Sequence, residues 1–258
     1  MEELMNTGIK KVIEQYPAVA DILESYDIGC VTCGVGTCLL KDIVEIHQLT
    51  KEQEKAMHQA IANVVFPDQK VNITKPAKIQ KKAVREISPP IQKLMTEHDL
   101  IKRLLALVPN ICANFDVSSM SQKQLITESV DFIKTYADRF HHAKEEDILF
   151  KYFDDNSDFI QVMLSDHTAG RSYVAGILDG LAENNESKIK TNLLSYAELL
   201  TEHINKEDEI LYPFLEKQLS ASLISEMYDK FLEVDKSFAG TEQKYSEWVK
   251  KLEKNLIF

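Results

Sequence analysis

His142-Ala-Lys-Glu-Glu146-Asp147-Ile-Leu149-Phe150-Lys-Tyr-Phe153 and His203-Ile-Asn-Lys-Glu207-Asp208-Glu-Ile210-Leu211-Tyr-Pro-Phe214 are two copies of one pattern, in which His, Glu, Asp, two apolar positions and a closing Phe coincide. Residues four apart lie one above the other on a helix, so each His and its Glu share a face, and that face continues into apolar residues one turn later. The pair therefore points inward. In this register His141 falls opposite Glu202, a position without ligand character, so His142 is read as the ligand in preference to His141 and Glu145 is expected to be exposed.

A weaker repeat lies on either side of the first. Glu97-His98 is followed by Lys102, Leu105 and Val108, and Asp166-His167 by Arg171, Val174 and Ile177, so each of these histidines also begins an apolar stripe. Helical periodicity places long helices at 91–108, 121–153, 159–183 and 187–218, and the short polar connections favour antiparallel neighbours. The expected fold is all-α, an antiparallel four-helix bundle over 91–218. One additional C-terminal helix is expected within 219–258, carrying Leu223, Met227, Phe231, Val234, Phe238, Tyr245 and Trp248. Its stripe packs either on the outside of the same bundle or in the interface of a homodimer.

Four helices thus contribute His98; His142 with Glu146; His167; and His203 with Glu207. Two ionised carboxylates in an apolar core carry a desolvation penalty of several kcal/mol each unless strongly compensated. Metal cations supply that compensation. Imidazole and bridging carboxylate suit iron or manganese, and facing helices of a bundle can present them. With both glutamates bridging, each of two ions receives two histidines and two carboxylate oxygens, which leaves a position for a small ligand. The plainer readings are hydrogen-bonded core histidines or solvated His-Glu pairs. Recurrence on two apolar faces, with one further His on each remaining helix, favours metal.

The 258 residues are 44% hydrophobic with only 8 Gly and 7 Pro, a balance that suits helices and a buried core. The 30 Lys and Arg against 41 Asp and Glu give a net charge of −11, which repels nucleic acid and anionic membrane surfaces. The first residues lack an apolar signal core and no apolar run approaches the roughly 18 residues that span a bilayer, so a cytoplasmic protein is expected. Residues 1–66 read as a small helical cysteine-loop domain, with a helix opened by Pro17, an amphipathic stretch from Leu39 and a short helix from Lys51 to Val65; the proline-bearing 67–90 reads as a linker. The loop Cys30-Val-Thr-Cys33-Gly-Val-Gly-Thr-Cys38 has three readings. It holds an iron-sulfur cluster or another thiophilic metal, with a fourth ligand such as His47; it cycles Cys30 and Cys33 between dithiol and disulfide; or it is a glycine-rich turn with incidental thiols. His47 and His58 read as surface residues and Cys112 as a small core residue. Tyr136, Tyr173 and Tyr196 read as core packing, with approach to the metal site as the alternative.

His98, His142-x3-Glu146, His167 and His203-x3-Glu207 together resemble the hemerythrin-like, or HHE cation-binding, family over about half the chain. Ferritin-like proteins use Glu-x-x-His instead. The resemblance implies two non-haem iron ions with an oxo or hydroxo bridge, in a site that meets nitric oxide, dioxygen or peroxide. Within the family the chain is similar to di-iron proteins that repair iron-sulfur clusters under nitrosative or oxidative stress, which also carry a small cysteine-bearing N-terminal module. Their module has two adjacent cysteines, whereas here the spacing is Cys-x2-Cys-x4-Cys. The functions so implied are a reductase-like or peroxidase-like stress protein, with damaged iron-sulfur proteins or an electron donor as partners, or a reversible carrier or sensor of O2 or NO without turnover.

Overall fold

The computed structural model describes residues 2–26, 28, 39–41, 43, 49–66, 87–154 and 157–256. They fall into two compact units, Met1–Glu86 and Ile87–Phe258. Cys30, Cys33, Cys38 and His47 lie outside the described residues, as does most of the expected linker.

In the first unit, α1 (Glu2–Met5), α2 (Ile9–Gln15), α3 (Ala18–Glu24) and α4 (Lys51–Val65) surround a small core that includes Ile9, Val12, Leu23, Met57 and Ile61. The start of α4 is set by a capping box. The Thr50 hydroxyl accepts from the Gln53 amide while the Gln53 side chain accepts from the Thr50 amide, which satisfies two otherwise orphaned donors.

The second unit holds the bundle. Helix α5 (Pro89–Asn114) opens with prolines in its first turn, where the missing N–H costs nothing. It runs six residues beyond the expected end at Val108, because Ile111 and Cys112 are buried and outweigh the lost bond at Pro109. Helix α6 (Met120–Phe132) continues through π-helical segments Ile133–His142 and Glu145–Leu149. Helix α7 (Asp158–Glu183) turns at Asn184, which takes a left-handed φ of 53°, into α8 (Glu186–Lys206). That helix continues through π-helical Glu207–Leu211 into Tyr212–Glu216. The last two bundle helices approach closely at Gly180, where a Cβ would lie 3.1 Å from the backbone nitrogen of Ile189.

Residues 219–258 were expected to hold one helix. They form two, α9 (Ala221–Ser237) and α10 (Thr241–Leu256), because Gly240 at φ +81° takes a turn that other residues adopt only with strain. Their stripe is covered by the chain itself. Met227 and Phe231 join one apolar cluster and Tyr245 and Val249 another. Polar contacts fix α10 in place: Arg103 donates twice to Glu253 at 2.8 Å, and the Trp248 indole donates to Glu128 at 2.9 Å.

These two clusters are the upper and lower halves of the bundle core. One includes Leu104, Val130, Tyr136, Ile177, Leu193 and Tyr196. The other includes Leu94, Leu149, Phe150, Met163, Leu211 and Tyr212. On every bundle helix a histidine lies at or beside the boundary between them.

Candidate metal centre

The polar layer gathers two groups of donors, His142, Glu145, His167 and His203, and His98, His141, Glu145 and Glu207; within each group the ligand atoms lie within 4.8 Å of one another. All seven residues are 0–5% exposed. Glu145 belongs to both groups. Glu207 spans them as well, with Oε1 3.2 Å from His203 Nε2 and Oε2 3.3 Å from His98 Nε2.

Each imidazole is aimed by a carboxylate behind it. His98 Nδ1 pairs with Asp208 at 2.7 Å, His141 Nδ1 with Glu97 at 3.0 Å, His167 Nδ1 with Glu146 at 2.7 Å and His203 Nδ1 with Asp166 at 3.4 Å. Each carboxylate is in turn held by a cation, namely Lys102, Lys144, Arg171 and Lys206 respectively. With Nδ1 committed as donor, Nε2 presents its lone pair to the centre, the arrangement that fixes histidine ligands on metals. His142 has the longest contact behind it, Nδ1 to Asp138 at 3.7 Å, and stacks on His167 with ring centroids 3.9 Å apart.

The donors fit a cation better than they fit one another. His98 Nε2, His141 Nε2, Glu145 Oε2 and both Glu207 oxygens are buried without a hydrogen-bond partner, and the Nε2 atoms of His167 and His203 converge to 3.0 Å. Orphaned buried polar atoms are rare in native proteins and point to an ion or ligand when they cluster. Nitrogen and carboxylate oxygen donors of this kind suit iron, manganese or zinc.

Protons take the cation's electrostatic place when the metal is absent. Burial alone would lower the His98 value, but Asp208 and Glu207 outweigh it and raise it to about 9. His167 is likewise disfavoured as a cation by burial, yet Glu145 and Glu146 raise it to about 10. Burial would push the Glu207 carboxyl up, and His203 and His98 instead draw it well below its ordinary value. His142 goes the other way, since burial and then the charge of His167 hold it well below 6.5 and leave a neutral imidazole.

Two expectations are corrected. Glu146, read as a bridging ligand, stands behind the site, where it supports His167 and pairs with Arg171 at 2.6 Å. Glu145, expected at the surface, is fully buried and shared by both donor groups. His141, set aside in favour of His142, is gathered with it. The cause is the π-helical segment: its wider turn brings consecutive side chains closer in direction than an α-helix does, so His141 and His142 both face inward. The remaining expected positions, His98, His142, His167, His203 and Glu207, are brought together.

The signal for the corrected set is a repeat register one residue earlier. It pairs His141 with His203, Lys144 with Lys206, Glu145 with Glu207, Ile148 with Ile210 and Leu149 with Leu211, and it matches Glu146 to Asp208 and Phe150 to Tyr212. The supporting groups obey it too, since Glu97–Lys144 corresponds to Asp166–Lys206, and Asp208–Lys102 to Glu146–Arg171. Among the donors His142 alone breaks the symmetry: its counterpart is Ile204. Sequence reasoning also missed Tyr212, whose hydroxyl donates to Glu145 and whose ring stacks on His98 at 5.6 Å, and the fully buried Lys144. Among the other candidates, His58 is half-buried and Cys112 is a buried free thiol whose value burial pushes up.

A four-helix bundle whose middle layer offers two adjoining sets of histidine and carboxylate donors defines a class of cation-binding proteins. The model of the hemerythrin HHE cation binding domain matches residues 89–215, and these residues form a domain of that family. Curated relatives include uncharacterized proteins of Mycobacterium bovis and Mycobacterium tuberculosis, each 21% identical over 174 residues, covering 64% of this chain and 62% of theirs. The chain thus spans less than two thirds of the length of those relatives. No solved structure matches. Among the described residues no helix is long and apolar enough to cross a membrane.

Proposed function

We propose that this protein is a cytoplasmic dinuclear non-haem iron protein that reacts with nitric oxide, dioxygen or peroxide, in the response to nitrosative or oxidative stress. The observation that supports it is the pair of four-donor groups sharing Glu145. One ion would be held by His142, His167, His203 and Glu145, and the other by His98, His141, Glu145 and Glu207. When bound, the metals supply redox chemistry and a coordination position for a small ligand.

The chain's own residues shape that chemistry. Three histidines serve one position and two serve the other, so the two ions are inequivalent. The carboxylates behind the imidazoles fix their tautomers and strengthen them as donors. The hydroxyl of Tyr212 donates to Glu145 and orients the shared carboxylate. Apolar clusters above and below exclude bulk water, which strengthens every electrostatic interaction within the layer. The cysteine loop would supply electrons, hold a cluster or engage a damaged iron-sulfur client.

The test is metal analysis of anaerobically purified protein together with optical and paramagnetic spectra, before and after mixing with NO or O2. About two irons per chain and consumption of the added gas would support the proposal. Release of the gas unchanged would make the protein a carrier or sensor, and a chain that binds no metal would refute the reading.

A further inference from the structure

Helix α7 and the π-helical continuation of α6 part beside the metal layer and leave a cleft of about 200 Å³. Its walls are Ile133, Val174, Leu178 and Leu200, and its inner end is formed by His142 and His167. It opens to solvent past the exposed Ala175 and Leu178. An engineered apolar cavity of about 150 Å³ takes up benzene, so this volume suits a single substituted ring.

Two features say what the ring carries. Tyr196 lines the cleft while only 2% exposed, and its hydroxyl has no hydrogen-bond partner. A buried donor left unmet is unfavourable, so an occupant with an oxygen acceptor gains an interaction that the empty cleft lacks. The guanidinium at the cleft is already matched, since Arg171 pairs with Asp138 at 2.7 Å and with Glu146 at 2.6 Å, and the remaining charged lining residue, Lys134, is exposed to solvent. Gly170 also lines the cleft, and a Cβ there would sit in ordinary contact with the aromatic ring, 3.5 Å from Tyr196 Cε2.

We propose that this cleft is a binding site for a neutral, ring-sized organic molecule bearing one oxygen acceptor, seated between Tyr196 and the edge formed by His142 and His167. Nothing in the reaction with diatomic ligands requires such a space. The site depends on the cleft alone, so it stands or falls separately from the metal reading.

The test uses fluorine NMR titration of the full-length protein, metal-free and iron-loaded, with 4-fluoroacetophenone as the acceptor-bearing probe and 4-fluorotoluene as the apolar comparator. Both probes are expected to bind saturably. Tyr196→Phe should weaken the acetophenone roughly two- to tenfold, the worth of one net hydrogen bond, and leave the toluene within about twofold. Gly170→Leu should abolish both; Ala175→Trp, at the exposed rim, gives the same block without disturbing the interior. Iron loading should broaden the bound probe's resonance through proximity to His142 and His167. Absence of saturable binding, indifference to both blocking variants, or equal loss of the two probes in Tyr196→Phe would overturn the proposal. Metal content of the same samples is measured independently, so a chain that takes up the probe but no iron would refute only the metal reading.

Discussion

Replacing Lys144 by Met should destabilise the bundle more than any other single change of a cation in the metal layer. The ammonium is fully buried, with Glu97 at 2.5 Å, Asp235 of α9 at 2.8 Å and the Phe140 ring 3.4 Å below it. Removing one partner of a buried ion pair costs about 3–5 kcal/mol, because the other charge is left uncompensated. Here Lys93 lies 3.6 Å from Glu97 and 2.9 Å from Asp235 and offsets part of the loss, which places the expected cost near the lower bound, about 3 kcal/mol. For a unit of this size each kcal/mol moves the midpoint by roughly 2–4 °C, so the melting temperature should fall by about 6–12 °C. The assay is thermal unfolding of the metal-free protein followed by circular dichroism. The internal control is Lys206→Met at the symmetry-related position, where the lysine is 14% exposed and meets Asp166 alone; its loss should be less than half as large. Adding Glu97→Gln to Lys144→Met should recover part of the stability, since the stranded charge is then gone while His141 keeps a hydrogen-bond acceptor. A Lys144→Met midpoint within about 2 °C of wild type, less than a 1 kcal/mol loss would give, or no recovery in the double variant, would refute the reasoning.

Glu145→Ala should abolish dinuclear binding and leave at most one weakly held metal, whereas Glu146→Gln should retain two with roughly 10- to 100-fold weaker affinity, because it acts through His167; metal titration with elemental analysis decides between them. Stripping the metal with a chelator should lower the melting temperature by an amount that grows with the logarithm of metal affinity, and restoring it should reverse the loss, as differential scanning calorimetry would show. Gly180→Leu should force α7 away from α8, because a Cβ there already lies 3.1 Å from the Ile189 backbone nitrogen, read as a lowered melting temperature, while Gly170→Ala should be tolerated because its added carbon meets only ordinary contact. Replacing Cys30, Cys33 and Cys38 together by Ser should leave the bundle's metal content unchanged and remove any additional iron and sulfide.

The architecture was legible because the helical period is long and sustained, and because packing alone gives no reason for a histidine at the same level of each of four helices. The short helix expected from Lys51 to Val65 is found with those bounds as α4. What misled was the assumption that α-helical geometry persists through the site. At 100° per residue the side chains of His141 and His142 diverge more than in a π-helix, so reading the i,i+4 pair as strictly α-helical favoured one of them and fixed Glu146 along with His142. The better register was present in Lys144/Lys206 and in Ile-Leu followed by an aromatic residue, but it leaves His142 opposite Ile204. A repeat is easily rejected when its most chemically active residue is the one that fails to repeat. The second C-terminal helix escaped for a simpler reason, since one glycine in an amphipathic run is weak grounds for a break until its φ is known.

The two departures from twofold symmetry lie on different faces of the bundle, and together they argue for a directional site. On one face α9 covers the layer: Phe231 and Asp235 close over Lys144, and His141 beside it is only 1% exposed. On the other, His142 adds a neutral donor and the cleft opens beside it between α6 and α7, past Tyr196 and the Arg171–Asp138 pair. A strictly symmetric pair of His-x3-Glu helices would make its two donor groups alike. The extra histidine, the added helices and the cleft make them unlike in donor set and in access. The unmatched residues, His142, Ile204, Asp235 and Tyr196, are therefore the positions at which substitution should alter reactivity, whereas the matched ones set whether metal is held.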